Sequence, residues 1–171
     1  ENEYSWVYKT FGEDGKTPGK INFTVWSDVF VCPNCTKEIV YWDLVCGESD
    51  SKNNAKVCPY CNSVLTKGEM ERSFVHNLGE GVYKQDNLDD NESIYSMQRF
   101  AKQVPVLINY SIGSKRYEKK PDANDLELIE RIDKMAVLSW YPTQLLPIGF
   151  NTDQPRISHG LTYVNHFYTK R

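Results

Sequence analysis

Cys32-Pro33-Asn34-Cys35 and, further along, Cys58-Pro59-Tyr60-Cys61 place four thiols in two tight pairs. A Cys-x-x-Cys turn lets both sulfurs of a pair face one ion. Two such turns complete the tetrahedral four-sulfur shell that structural zinc takes, with Zn–S bonds of about 2.3 Å. The 22 residues between Cys35 and Cys58 slightly exceed the roughly 15–20 of the usual double-pair pattern, so the spacing predicts a zinc ribbon with a long first hairpin. Immediately upstream, Ile21-Asn22-Phe23-Thr24-Val25-Trp26 alternates apolar and polar residues and runs on through Val29-Phe30-Val31 into the first pair, which reads as a strand feeding the metal turn. Glu38 to Val45 reads as the returning strand, Ser49 to Asn54 as a polar hairpin loop, and Val57 and Val64-Leu65 as the short strands around the second turn. The ribbon is thus expected over residues 29–68. Its core is too small to stand without metal, so binding energy becomes folding energy, on the order of 10 kcal/mol in isolated zinc-finger peptides.

Other chemistry for the same cysteines has specific requirements. A lone Cys58-Pro59-Tyr60-Cys61 would suit thiol–disulfide exchange. A second Cys-Pro-x-Cys has no role in such a redox fold, however, and no Thr-Val-Pro segment follows to place a cis-proline beside the thiols. Two simple disulfides are the remaining alternative. Cys46, in Val45-Cys46-Gly47, reads as a small half-buried residue and not as a fifth ligand.

Around the ribbon, 171 residues with 40% hydrophobic content suffice for one core, so residues 1–28 and 69–171 are expected to form a mixed α/β body in a single domain. The stretch Gln103 to Ser111 is nearly continuous in apolar residues and predicts a buried strand with Pro105 at its start. A helix is predicted from Ala123 to Ala136: Asp122 caps it, Asp125 adds negative charge to its first turn, and Leu126, Ile129, Ile132, Asp133 and Ala136 form a mainly apolar core stripe. The acidic run from Lys84 to Glu92 lacks the ligand spacing of an EF-hand and reads as a solvated loop. Beyond the helix, Pro142, Pro147 and Pro155 predict an irregular segment. The expected class is α+β, mainly antiparallel strands with a four-cysteine zinc ribbon and one principal helix. No apolar run approaches the roughly 20 residues a membrane span needs, and Glu1-Asn2-Glu3 is unlike a signal peptide, so a soluble, cytoplasmic protein without a membrane partner is expected. The missing initiator Met and the abrupt end at Arg171 suggest a piece of a longer polypeptide.

The formal charge is −3, and four thiolates around one divalent ion would make it more negative still. Contact with nucleic acid therefore has to come from a local patch. Ser114-Lys115-Arg116-Tyr117-Glu118-Lys119-Lys120 is the candidate, its four cations flanking one aromatic that could stack; a solvated turn is the plainer reading. His159 and His166 lie among aromatics with no carboxylate or cysteine at a useful spacing, which points to packing or backbone hydrogen bonding. The four tryptophans read as core before they read as stacking platforms. Phosphate loop, nucleophile elbow, His-Glu-x-x-His and Asp-Pro-Pro-Tyr-like tetrapeptide are all missing from the sequence, so the chain by itself is not expected to be an enzyme.

Three segments carry a family resemblance. They are Ile21 to Phe30 before Cys32-Pro33-Asn34-Cys35, Pro105 to Ser111 before the basic run Lys115 to Asp122, and His166-Phe167-Tyr168-Thr169-Lys170-Arg171. Together they resemble the central insert of a prokaryotic family of DNA methyltransferases of the amino-methylating N4/N6 class, over nearly the whole chain. The resemblance implies a zinc-ribbon-containing target-recognition insert flanked by methyltransferase motifs, as in restriction-modification. DNA and the flanking catalytic domain would be its partners, and S-adenosylmethionine would be bound only by the parent enzyme. Under that reading Lys115, Arg116, Lys119 and Lys120 would contact phosphates while Asn109, Tyr110 or Tyr117 would approach bases. The rival expectation is a zinc-stapled structural or protein-interaction insert that does not touch DNA.

Overall fold

The structure, a computed structural model, describes residues 4–46, 56–77, 98–135 and 140–167. Its organising element is one long strand. After a 3-10 turn at Ser5–Tyr8 and a short strand β1 (Lys9–Phe11), β2 runs from Pro18 to Val31 and serves two different cores. Most of it, through Asp28, pairs antiparallel with β1 and with β9 (Gln103–Ile112), and β9 pairs with β10 (Lys115–Lys119), giving the order β1-β2-β9-β10. Its last three residues, Val29 to Val31, leave β9 and pair with β3 (Glu38–Val40) and β6 (Glu71–Arg72), which belong to the cysteine-bearing module. Two-stranded ribbons complete the set: β4 (Lys56–Val57) with β5 (Val64–Leu65), and β7 (Phe74–Asn77) with β8 (Gln98–Ala101). The described residues are thus mixed α+β with mostly antiparallel strands, as the alternation of Ile21 to Trp26 and the apolar run of Gln103 to Ser111 predict.

Two register shifts bend β2 against β9, between Ile21 and Phe23 and between Val25 and Trp26. A bulge leaves one residue unpaired and strengthens the local twist. Pro105, which has no amide hydrogen to give a ladder, sits at the second of them, opposite Trp26. At the other end of the strand Gly19 lies against Tyr110, where a Cβ would come within 2.8 Å of the ring.

The helix α2 (Ala123–Asp133) starts where the sequence places it. Asp122 accepts from the backbone N–H of Asn124 and Asp125, and the Asp125 carboxylate accepts from the N–H of Asp122, a complete capping box. Its inward stripe differs from the sequence expectation. Asp125, Leu128, Ile129 and Ile132 line a cavity of about 230 Å³ against Ile21, Trp26 and Ile108, whereas Leu126 is 48% exposed. The reason is rotational. Once Asp125 is drawn inward, positions three, four and seven residues on share its face, and Leu126 is turned out. Ala136, the expected last residue, lies outside the described residues.

Asp125 is the most buried ionisable side chain of that face, at 2% exposure, and is fully partnered. Thr10 Oγ1 donates to Oδ1 at 2.6 Å, and Lys119 Nζ lies 2.8 Å from Oδ2 while also reaching Asp122 at 2.6 Å. The network ties α2 to both β1 and β10.

Two other expectations change. Glu38 to Val45 is not one strand: pairing stops at Val40, and Tyr41–Cys46 forms a short helix α1. Tyr41 and Leu44, three residues apart on that helix, pack against the small core of the module, and the backbone N–H of Trp42 is taken by Ser27 Oγ at 2.9 Å. Packing here overrides the strand preference of a β-branched and aromatic run. The proline-marked C-terminal region is not wholly irregular either, because Phe150–His159 forms a third helix, α3, with Pro155 inside it. It ends at Gly160, whose φ of +75° and close approach to the Arg99 backbone leave no space for a Cβ. The expected loops Ser49 to Asn54 and Lys84 to Glu92 lie outside the described residues. Among the described residues no helix is long and apolar enough to cross a membrane.

Candidate metal centre

The two Cys-Pro-x-Cys turns fold as copies of one another. In the first, the Cys32 N–H donates to Lys37 O at 2.9 Å and the Thr36 N–H to Cys32 O at 2.9 Å. In the second, the Cys58 N–H donates to Ser63 O at 2.9 Å and the Asn62 N–H to Cys58 O at 3.0 Å. The residue after each second cysteine takes the left-handed conformation, Thr36 at φ 59° and Asn62 at φ 58°. That backbone reversal is what lets both sulfurs of a turn face the same side. Asn tolerates the conformation well; Thr, being β-branched, is uncommon there.

Strand β2 delivers the first turn and the ribbon β4–β5 flanks the second. The two turns meet over a core of Phe30, Ile39, Leu65 and Met70, in which Cys32 and Cys58 are fully buried. Cys35 is half-buried and Cys61 exposed. All four sulfurs lie within 4.8 Å of one another. Across the two turns, Cys32 Sγ is 3.8 Å from Cys61 Sγ, and Cys35 Sγ is 3.8 Å from Cys58 Sγ. A tetrahedral ion with bonds of about 2.3 Å requires sulfurs about 3.8 Å apart, whereas a disulfide requires about 2.05 Å. The spacing fits a shared metal such as zinc and does not fit disulfides. Four thiolates form a closed donor set, the kind that holds a structural ion.

Electrostatics around the sulfurs are uneven. The backbone N–H groups of Cys35 and Asn34 point at Cys32 Sγ and hold its thiol down at about 6. Cys35 is lowered by the N–H of Lys37, but burial and the sulfurs of Cys32, Cys61 and Cys58 outweigh it and push the thiol up to about 11. Cys61 is lowered by the Ser63 hydroxyl, 3.1 Å away, and by the Ser63 N–H. Four sulfurs this close cannot all ionise without a cation among them, so metal uptake would displace protons.

Cys46 stands apart from this group, exposed at the end of α1. Comparison with models of known protein families, with curated proteins and with solved structures finds no match to this chain.

The basic run maps onto the edge strand β10, which is exposed from Lys115 to Glu118 and buried at Lys119. Lys115, Arg116, Tyr117 and Lys120 are exposed. Lys119, in contrast, is 8% exposed and holds Asp122 and Asp125; register places it opposite Ile108, on the side that receives α2. Nothing in the sequence separates Lys119 from its neighbours, since strand alternation puts it on the same face as exposed Lys115 and Tyr117. Asn109 and Tyr110 are occupied as well. Asn109 accepts from Asn22 Nδ2 at 2.8 Å and donates to Glu118 at 3.1 Å. Tyr110, 2% exposed, stacks on Tyr117 with ring centroids 5.7 Å apart. The histidines behave as expected of packed residues: buried His166 takes the N–H of Thr162 at 3.1 Å on Nδ1 and meets Phe100 edge-on, and His159 pairs with Ser158 Oγ. Of the tryptophans, Trp26 lines the α2 cavity, Trp6 lies beneath the Arg131 guanidinium at 4.4 Å, and Trp140 is 85% exposed.

Proposed function

We propose that this chain is the DNA-binding, target-recognition module of an S-adenosylmethionine-dependent DNA methyltransferase, held together by one structural zinc ion. The parent, through its flanking catalytic domain in the cytoplasm, would methylate an exocyclic amino group of adenine or cytosine; the chain itself would supply grip and register but no catalytic group. The observation that carries the reading is the run of exposed cations Lys115, Arg116 and Lys120 along and just after one edge strand of an otherwise acidic chain, with exposed Tyr117 among them. Local cation density is what a phosphate backbone selects when net charge is unfavourable. The closed four-sulfur shell supports it, since a metal with no open position orders a module and does not catalyse.

The test is binding of the zinc-loaded chain to duplex DNA as a function of salt. The reading expects weak binding whose logarithm falls linearly with the logarithm of salt concentration. No retention of DNA even at low salt would overturn it.

A second reading has its own support: a zinc-stapled insert that docks a protein. Trp140, Ile148, Phe150 and Ile157 are 85%, 81%, 95% and 74% exposed, an apolar surface of the kind that marks protein contacts. Binding of the flanking catalytic domain that is lost on Phe150→Ser with Ile157→Ser, in a chain that ignores DNA, would favour that reading.

A further inference from the structure

A second cationic surface, away from β10, lies where the cysteine module meets α3. An open cleft of about 500 Å³ runs between them, with Phe30 and Phe74 in its lining together with Lys67, Arg72 and Arg99. The cations lie on aromatic faces: the Arg99 guanidinium is 4.0 Å from the centroid of Phe74, Arg72 is 5.4 Å from Phe30, and Lys67 Nζ is 5.1 Å from Tyr41. Tyr41 in turn meets the Phe30 ring at 5.5 Å and carries Lys56 at 4.2 Å on its ring. The result is one connected group of Lys56, Lys67 and Arg72 on the rings of Tyr41 and Phe30, and a separate Arg99–Phe74 pair across the same cleft.

The three lining cations are not equivalent. Arg72 is committed to Asp28, with Nη2 2.9 Å from Oδ2, and serves the fold. Among the described residues neither Lys67 nor Arg99 has an acidic partner. A guanidinium stacked flat on a ring uses its face and keeps its in-plane N–H groups for a bidentate acceptor, which is the geometry a phosphate selects. Among the described residues Glu71 is the one acid in the lining. An open cleft suits a backbone passing through it better than an enclosed small molecule.

We propose that this cleft is a phosphate-backbone groove for nucleic acid, with Lys67 and Arg99 as its two contacts. The inference rests on the DNA-binding reading above and assigns to it a surface that the sequence patch does not include. Arg72 and the aromatic rings position the groove without touching the ligand.

The experiment is fluorescence anisotropy of a labelled DNA duplex with the full zinc-loaded chain, titrated across salt. Lys67→Ala with Arg99→Ala should lower the slope of log affinity against log salt by about 2, at roughly 0.9 per lost phosphate contact. Glu71→Gln should strengthen binding at every salt concentration. Both changes are at exposed side chains, and zinc content with near-ultraviolet circular dichroism checks the fold. If the parent chain binds DNA and both variants keep its slope and affinity, the groove is refuted while the DNA-binding reading stands. If Lys115→Ala with Lys120→Ala removes the slope instead, the contacts belong to β10 and the groove is again refuted. If the parent chain binds no DNA, both fall together.

Discussion

Replacing Lys119 by Met tests whether the basic run is a uniform DNA patch or contains a structural residue. The Lys119 side chain is 6% exposed and its Nζ lies 2.8 Å from a carboxylate that is 1% exposed, Asp125. Breaking a buried pair by removing one partner costs about 3–5 kcal/mol, because the remaining charge is left uncompensated. Here Thr10 Oγ1 and the Asp122 N–H still donate to Asp125, so the lower end, about 3 kcal/mol, applies. With a urea m-value of about 2 kcal/mol/M, that is a midpoint shift of about 1.5 M. The control is Lys120→Met one residue on, which is exposed and should change stability by less than about 0.5 kcal/mol. The pH dependence carries a sign. Burial raises the Asp122 carboxyl, but the Lys119 hydrogen bond outweighs it and holds the pKa below its ordinary 3.8. The contribution of that carboxylate is therefore present at neutral pH and is lost as pH falls through its folded pKa. Equal midpoints for the Met variants at 119 and 120, at neutral pH, would refute the structural assignment.

Three further outcomes follow from the same geometry. Gly160→Ala puts a Cβ 1.8 Å from the Arg99 carbonyl oxygen at φ +75° and should cost at least about 2 kcal/mol in thermal unfolding. Thr36→Gly relieves a left-handed β-branched residue, a strain of about 1–2 kcal/mol, partly offset by about 0.5–1 kcal/mol of added chain freedom; the zinc-loaded protein should gain about 0.5 kcal/mol, and Asn62→Gly should gain less. Leu128→Ala, inside the α2 cavity lining, should cost about 2 kcal/mol, while Leu126→Ala, on the exposed side, should be close to neutral in the same denaturant titration.

Much of this structure was legible in the residues. Paired cysteines at fixed spacing leave few geometries open, so the sulfur cluster followed from the spacing. The alternation of Ile21 to Trp26 and the Asp122 cap gave β2 and the start of α2 because both signals are local. What escaped was decided by partners distant in sequence. Tyr41 to Val45 is strand-like by composition but is helical where Tyr41 and Leu44 reach Phe30 and Ile39. Helix α3 is masked by Pro155 and a run of polar residues, and it depends on docking Gly160 against β8. Lys119 is chemically identical to Lys120, and only the register of β10 against β9 sends it toward Asp125. The cation–ring contacts between Lys56 and Arg99 draw on six separate elements and leave no mark on any one stretch of sequence.

Zinc K-edge X-ray absorption on the purified chain tests the central claim most directly. Four sulfur scatterers at about 2.3 Å, with no nitrogen or oxygen in the coordination shell, are what the converging turns predict. A shell containing fewer than four sulfurs, or no bound zinc in a chain that is nonetheless folded, would contradict the account.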